Sequence, residues 1–285
     1  METMKRKSRK KIKISSFVIY TVLILWAVTT IFPFVWVIMN SFKTSRDVIN
    51  NSFSLPIGGS LANFENAFSK LDIIKSYGNS FIISGSVTIG AMILASMMAF
   101  AMTRYKFRGK VVVDGLIVGS LMFPVFATIV PIMGMMTKLG FISSGNLMAV
   151  ILPQIAGNLS FATIVMMGFL RGLPLEMEEA AYMEGANVGQ VFLRIIVPLS
   201  KPSLATVAIF CFLWSYNDLF TQMCLIRQRK NYPICALLKE ISSMYGTDYG
   251  LMAASVTLIV VPVIIVYMLL QKNIIKGLTA GAIKG

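Results

Sequence analysis

Six apolar segments, each about as long as a lipid bilayer is thick, divide this chain. They cover residues 16–39, 81–102, 111–136, 147–170, 204–220 and 251–271. A helix that crosses the hydrocarbon core needs about 20 apolar residues and satisfies its own backbone polar groups. Six buried helices of a soluble protein would need a large polar shell, but only 13% of the residues are charged. The pattern predicts an all-α membrane protein with six transmembrane helices.

The first and third segments each carry a local signal. The first follows the basic tail METMKRKSRKKIKIS. It is too long for the apolar part of a signal peptide, and no small-residue cleavage site follows, so we predict an uncleaved helix. The third contains Pro124 and Pro131, which predict a kink or a break.

The basic residues between the segments predict the orientation. With both termini on the cytoplasmic side, 17 of the 26 Lys and Arg residues lie in inner segments. Inner segments of membrane proteins are enriched in these residues. The net charge of +14 thus reflects topology rather than a nucleic-acid-binding face. Membrane lipid is a predicted partner, and nucleic acid is not.

Metal, redox and enzymatic sites have little support. The chain has no His, and its three cysteines, Cys211, Cys224 and Cys235, lack CxxC spacing. Cys224 and Cys235 share a predicted outer loop, where a disulfide is one alternative and free thiols are the favoured one. No nucleophile–base set is visible. We predict no metal site and no catalytic residue.

Small residues at helical spacing indicate close helix packing. Ala91, Ala95 and Ala99 are spaced four apart, as are Gly115 and Gly119. Such stripes let helix backbones approach closely in lipid. Packing inside one bundle is favoured over a dimer face. A local ion pair between Lys110 and Asp114 is also predicted from their spacing.

The inner segment 171–203 breaks the charge pattern. It is the only inner segment with more acids than bases. Its acids are Glu176, Glu178, Glu179 and Glu184. Good helix formers from Pro174 to Glu184, then Gly185, predict a short helix and a turn, with a second helix over 188–197. The small Ala180 and Ala181 between acidic neighbours suit a close basic partner. A solvated acidic turn that only connects two spans is the alternative.

This segment resembles the Glu-Ala-Ala loop of the membrane subunits of ABC importers. Glu179-Ala180-Ala181 is followed after three residues by Gly185, and Val197-Pro198 stands near the end of the loop, where Val197 replaces the usual Leu.

Four further stretches resemble the maltose-type sugar permeases within that family. They are 79–81 (NSF), 104–109 (RYKFRG), 214–218 (WSYND) and 277–285 (GLTAGAIKG). The resemblance runs from about residue 16 to the end. It implies a type I ABC importer permease fold in a bacterial cell membrane. It also implies a second, homologous permease, two ATPase subunits and an extracellular solute-binding protein.

The resemblance and the topology together divide the chain into four parts. These are a cytoplasmic tail over 1–15, a first helix and outer loop over 16–75, a transmembrane core over 76–271 and a cytoplasmic tail over 272–285. The core includes 171–203 as a coupling loop.

A partner must supply the ATPase, because no GxxxxGK[ST] motif is present. ATP and Mg²⁺ are expected on the partner subunits and no cofactor on this chain. In the coupling loop, we predict that Glu179 holds a basic partner group and that Ala180 and Ala181 seat in a groove. Gly185 sets the turn and Pro198 fixes the exit.

The residues of the substrate pathway are predicted at the end of the fifth segment. Trp214, Asn217 and Asp218 offer a sugar-binding ring, an amide and a carboxylate. The alternative is that Asp218 caps the helix and pairs with Arg227 or Lys239.

Two further functions remain as alternatives at this point. One is an ABC permease for another polar solute, such as glycerol phosphate or an acidic oligosaccharide. The other is an ion-coupled secondary transporter, which needs intramembrane ionisable residues. Only Asp114 and Asp218 qualify, and both lie near the ends of segments.

Overall fold

A computed structural model describes residues 14–70, 72–237 and 248–282 of the chain. Most of the basic tail, Lys239 and the last three residues lie outside the described residues. The described chain is built from helices and contains no strand. They are α1 (Ile14–Asn40), α2 (Ser45–Asn50), α3 (Ala62–Lys70), α4 (Ile73–Arg104), α5 (Lys110–Ser120), α6 (Val125–Lys138), α7 (Phe141–Ser144), α8 (Met148–Leu170), α9 (Glu176–Met183), α10 (Val188–Val191), α11 (Val197–Leu199), α12 (Lys201–Asn217), α13 (Leu219–Leu225) and α14 (Tyr249–Ala282).

The described chain forms two compact units. The first contains residues up to 67 and from 248 to 258, and the second contains residues 68–237 and 259–282. In the first unit, Lys43 is buried and its Nζ donates to the carbonyl of Asn51 at 2.9 Å. Asn63 Nδ2 donates to the carbonyl of Lys43 at 2.8 Å. A Cβ on Gly250 would lie 2.5 Å from that same carbonyl oxygen, so glycine permits this approach.

Three long helices, α4, α8 and α12, form the core of the second unit. Ala91, Ala95 and Ala99 are fully buried in one apolar cluster with Ala162 and Met166 of α8. The prediction that this stripe packs inside one bundle is confirmed. The other small-residue pair, Gly115 and Gly119, is not closely packed, because a Cβ on either residue would meet no atom within 4 Å.

The predicted break in the third apolar segment is confirmed. α5 ends at Ser120, and α6 begins after Pro124. Pro131 lies inside α6. The helix is interrupted at Pro124 because proline has no amide hydrogen to donate to the preceding turn.

Three helices of the described chain are long and apolar enough to cross a membrane: Ser16–Asn40, Ile73–Arg104 and Met148–Leu170. A fourth span results if Val188–Leu199 and Lys201–Asn217, which meet at 75°, are taken together. Phe126–Lys138 and Tyr249–Ile265 are shorter apolar helices. Six spans and the location of the termini stay predictions.

The predicted ion pair between Lys110 and Asp114 is wrong. Lys110 Nζ instead donates to the carbonyl of Tyr105 at 3.4 Å. A basic residue four positions before an acid is the weaker order for such a pair on a helix.

The three cysteines are free thiols, as favoured from the sequence.

Candidate functional site

The acidic loop folds into a short helix, and two helical segments that meet at a sharp bend follow it. α9 covers Glu176–Met183 with three acids in its first turn, where negative charge suits the helix dipole. Gly185 then adopts φ +84°, a left-handed conformation that favours glycine. Asn187 and Gln190 form a capping box that starts α10. The predicted helix, turn and second helix are all present.

The exit of the loop is shaped by two prolines. Residues Phe192–Ile196 form a π-helical turn before α11, which contains Pro198. Pro202 lies in the first turn of α12. Since neither proline donates a backbone hydrogen bond, the helical ladder is interrupted, and the chain bends by 75°.

The predicted coupling residues lie along this loop with different exposures. Glu179, Ala180, Gly185 and Pro198 are exposed. Ala181 is half-buried and packs against the apolar cluster of its own chain. The exposed face of α9 therefore presents Glu179 and Ala180, with only an edge of Ala181.

Glu178 points the other way and forms a buried ion pair. Its Oε1 lies 2.6 Å from Nε of Arg104, the last residue of α4, and the two side chains are 6% and 8% exposed. Sequence reasoning missed this contact. The available signal was that Glu178 and Glu179 are adjacent on a helix and cannot share a face.

Aromatic side chains surround this ion pair. Desolvation and the neighbouring Tyr105 side chain raise the pKa of the Tyr182 phenol on α9. The ring of Phe100 lies 5.4 Å from that of Phe192 and 5.8 Å from that of Tyr105. The end of α4 thus meets both α9 and the π-helical turn.

Asp218 is the centre of a second polar cluster, at the junction of α12 and α13. Its Oδ1 accepts from the Thr221 amide at 2.9 Å, which caps α13. Its Oδ2 accepts from Gln154 Nε2 of α8 at 2.9 Å. Gln154 Oε1 accepts from Ser215 Oγ at 2.6 Å, and Gln222 Nε2 donates to the Ser215 carbonyl at 2.7 Å. We call Gln154, Ser215, Asp218 and Gln222 the Asp218 network.

The two other predicted pathway residues lie beside this network but outside it. Trp214 is 47% exposed. Its ring packs at 4.7 Å from Phe161 and 5.5 Å from Phe210. Asn217 is exposed, and its Nδ2 donates to the carbonyl of Leu213 at 2.8 Å. The capping role that the alternative gave Asp218 is present, but among the described residues its side-chain partner is Gln154 and not Arg227.

A family model described as "binding-protein-dependent transport system inner membrane component" matches residues 91–280. The match includes the acidic loop and the Asp218 network. The chain belongs to this family.

Two curated relatives extend the similarity over nearly the whole permease. It is 32% identical to the diacetylchitobiose uptake system permease protein NgcG of Streptomyces coelicolor, over 93% of this chain and 88% of the relative. It is 30% identical to the galactooligosaccharides transport system permease protein GanQ of Bacillus subtilis, over 93% of this chain and 94% of that one. The permease is a multi-pass transport subunit of a bacterial plasma membrane, not an enzyme.

A solved structure supports the fold. It is the crystal structure of a bacterial ABC transporter involved in the import of the acidic polysaccharide alginate. The TM-score is 0.78 at 23% identity, covering 95% of this chain and 99% of that one. The permease therefore has the fold of an ABC importer permease.

The stretch 79–81, which carried part of the sequence resemblance, anchors another segment of the permease. Asn79 Nδ2 donates to the carbonyls of Lys230 and Tyr232, at 3.1 and 3.2 Å. Ser80 Oγ accepts from the Ile234 amide at 2.8 Å. These residues therefore hold the segment after α13 against the start of α4.

Metal binding has no support in the described part of the permease. No group of three or more Cys, Asp or Glu side chains there is arranged to hold a metal ion. Burial raises the pKa of the Cys235 thiol to about 11, and the charge of Asp218 adds to this. The thiol is therefore protonated at neutral pH, which disfavours metal binding and oxidation.

Proposed function

We propose that this permease is the membrane subunit of an ATP-driven importer of sugars or oligosaccharides. The functions in the names of the two relatives, uptake of diacetylchitobiose and transport of galactooligosaccharides, support this substrate class. The alginate transporter supports the fold alone. Glycerol phosphate and other polar solutes are disfavoured because these relatives carry saccharides.

ATP hydrolysis takes place on partner subunits in this proposal. The chain has no phosphate-binding GxxxxGK[ST] loop, so ATP and Mg²⁺ belong to two ATPase subunits. A second, homologous permease and an extracellular solute-binding protein complete the importer. The permease itself has six spans, and its tails, 1–15 and 272–285, are cytoplasmic.

The observation that carries the proposal is the exposed face of α9. Glu179 and Ala180 are exposed, while Glu178 on the same helix is buried against α4. A carboxylate beside small residues lets a partner helix or groove approach closely and supply Arg or Lys. We assign this face, with the edge of Ala181, to the ATPase contact.

Gly185 and Pro198 shape the loop rather than bind the partner. Gly185 reverses the chain after α9 through its positive φ. Pro198 lies just before the 75° bend that leads into α12. Motion of α9 would thereby reach α12, as alternating access requires two arrangements that the partner can bias.

The substrate pathway in this proposal includes Trp214 and Asn217. The half-exposed indole, supported from behind by Phe161 and Phe210, suits the apolar face of a sugar ring. The exposed Asn217 offers its amide oxygen to a hydroxyl. Asp218 positions α12 and α13 instead, because both of its carboxylate oxygens already accept hydrogen bonds within the chain.

Co-purification of the ATPase tests the proposal. The whole transporter would be solubilised from membranes with wild-type permease, with Glu179→Lys, and with Glu65→Lys as a control on exposed α3. We expect the ATPase to be recovered with wild type and the control, and to be lost with Glu179→Lys at unchanged permease yield. Equal recovery of ATPase with all three would overturn the assignment of this face.

A further inference from the structure

The buried Arg104–Glu178 ion pair is not explained by contact with a partner. Of the four acids in the loop, only Glu178 is buried. Its guanidinium partner comes from a helix 74 residues earlier. The pair is therefore a long-range contact within one chain, between the end of α4 and the first turn of α9.

Stability alone is a weak reason for such a pair. Removing two charges from water costs free energy that their attraction often only balances, so apolar residues of similar size frequently serve as well. The arrangement here is further from optimal, because Nη2 of Arg104 is also buried and has no hydrogen-bond partner. What the pair does supply is a fixed geometry between two helices.

A second pair of side chains lies beside the ion pair. Tyr182 lies four residues after Glu178, one turn along α9 on the same face. Its phenol lies near that of Tyr105, the residue after Arg104. Two adjacent residues at the end of α4 thus face two successive turns of α9. The packing of Phe100 on Phe192 continues the contact into the π-helical turn.

We propose that Arg104 and Glu178 are positioning residues that make α9 and α4 move as one body during transport. α4 packs along α8 and α12, so a displacement of α9 by the ATPase is carried directly into the helix core through α4. The bent α10–α12 connection is then a second route rather than the only one. This inference rests on the proposed contact between α9 and an ATPase.

The test measures sugar imported per ATP hydrolysed, in proteoliposomes that contain the complete transporter and its binding protein. The variants are Glu178→Gln, Arg104→Gln and the charge swap that combines Arg104→Glu with Glu178→Arg. Arg108→Gln, an exposed arginine four residues further on, is the matched control. We expect each single variant to keep the ATPase bound and hydrolysing while sugar per ATP falls about tenfold. The swap should restore most of the ratio, and the control should leave it unchanged.

A ratio that is unchanged in both single variants, or a swap no better than the single variants, would overturn the proposal. A merely structural pair would lower the yield of folded permease and leave the ratio of the surviving molecules intact. Loss of the ATPase from the wild-type complex is a different result, which would contradict the proposed function instead.

A cross-link provides an answer even where the single variants fail to assemble. Tyr105→Cys and Tyr182→Cys would be joined by a reducible bifunctional thiol reagent, in a permease whose native cysteines are replaced by serine. Because the two helices move together, the joined permease should transport sugar as well as its reduced form. Loss of transport on joining, with recovery on reduction, would show that α9 and α4 must separate and would overturn the inference.

Discussion

Two carboxylates in this permease are held by distant side chains, but in different ways. Glu178 is bound by a guanidinium, Arg104, in a fully charged pair at 2.6 Å. Asp218 is bound by a neutral amide, Gln154, and by a backbone amide, each at 2.9 Å. The first joins an exposed short helix to the core, and the second joins two helices within the core. Both carboxylates therefore join helices, although the sequence had offered Asp218 as a substrate contact. The residue type alone does not distinguish these two roles.

The largest effect is expected from breaking the charged contact. Glu178→Ala leaves the Arg104 guanidinium buried without its counter-ion, which costs about 3–5 kcal/mol of folding free energy. Unfolding of the purified permease in mixed micelles with increasing denaturing detergent measures this loss. Glu65→Ala removes an exposed carboxylate and should change the free energy of unfolding far less. Equal effects of the two variants would show that the ion pair is not buried in the folded permease in solution.

A smaller loss is expected from the neutral contact. Asp218→Ala removes an acceptor from the buried Gln154 amide and the cap of α13, at about 1–3 kcal/mol. Asp218→Asn retains an oxygen for the cap, and Asn is a good capping residue. Its Nδ2 would face the Gln154 Nε2 donor, however, so it should retain only the capping part of the stability.

Sugar uptake by Asp218→Asn decides between positioning and binding. A positioning role predicts uptake close to wild type at equal permease level. A large loss of uptake at unchanged stability would instead show that the charge of Asp218 contacts the substrate.

The aromatic neighbour of the Asp218 network is expected to affect substrate rather than folding. Trp214→Ala removes a half-exposed indole from a stack with Phe161 and Phe210. If a sugar ring packs on it, KM for uptake should rise about 2- to 10-fold, as aromatic contacts of this kind are worth about 0.5–1.5 kcal/mol. Trp214→Phe should restore part of the affinity. An unchanged KM in Trp214→Ala would remove Trp214 from the pathway.

The smallest effect is a change in the reactivity of Cys235. The charge of Asp218 contributes to the pKa of this thiol. Burial and that charge raise the pKa of the thiol to about 11. Because only the thiolate reacts, the rate of alkylation should rise about tenfold per pH unit from pH 7 to pH 10. A permease with Cys211→Ser and Cys224→Ser isolates this rate. Adding Asp218→Asn should lower the pKa and speed the reaction at fixed pH, whereas a rate that levels near pH 8.5 would contradict the raised pKa.

Local features were predictable from the sequence because neighbours along the chain determine them. Gly185, the break at Pro124 and the Ala91 stripe each follow from backbone sterics or helical spacing. The acidic helix was likewise predictable, but its orientation was not, since a one-residue step turns Glu178 inward and Glu179 outward. That choice depends on Arg104, which is distant in sequence.

The Asp218 network could not be derived from the sequence for a similar reason. Its main partner, Gln154, is an uncharged residue inside an apolar segment and gives no charge signal. Electrostatic pairing favoured Arg227 from the sequence, but packing of α8 against α12 brings Gln154 within hydrogen-bonding distance.

Uptake by proteoliposomes loaded with ATP or with ADP tests the central claim most directly. The vesicles would contain the permease with the subunits that co-purify with it, and labelled oligosaccharide would be supplied with the binding protein outside. We predict uptake with internal ATP, none with ADP, and none with ATP when the permease carries Glu179→Lys. Uptake that proceeds with ADP and follows an ion gradient would contradict the account and identify a secondary transporter.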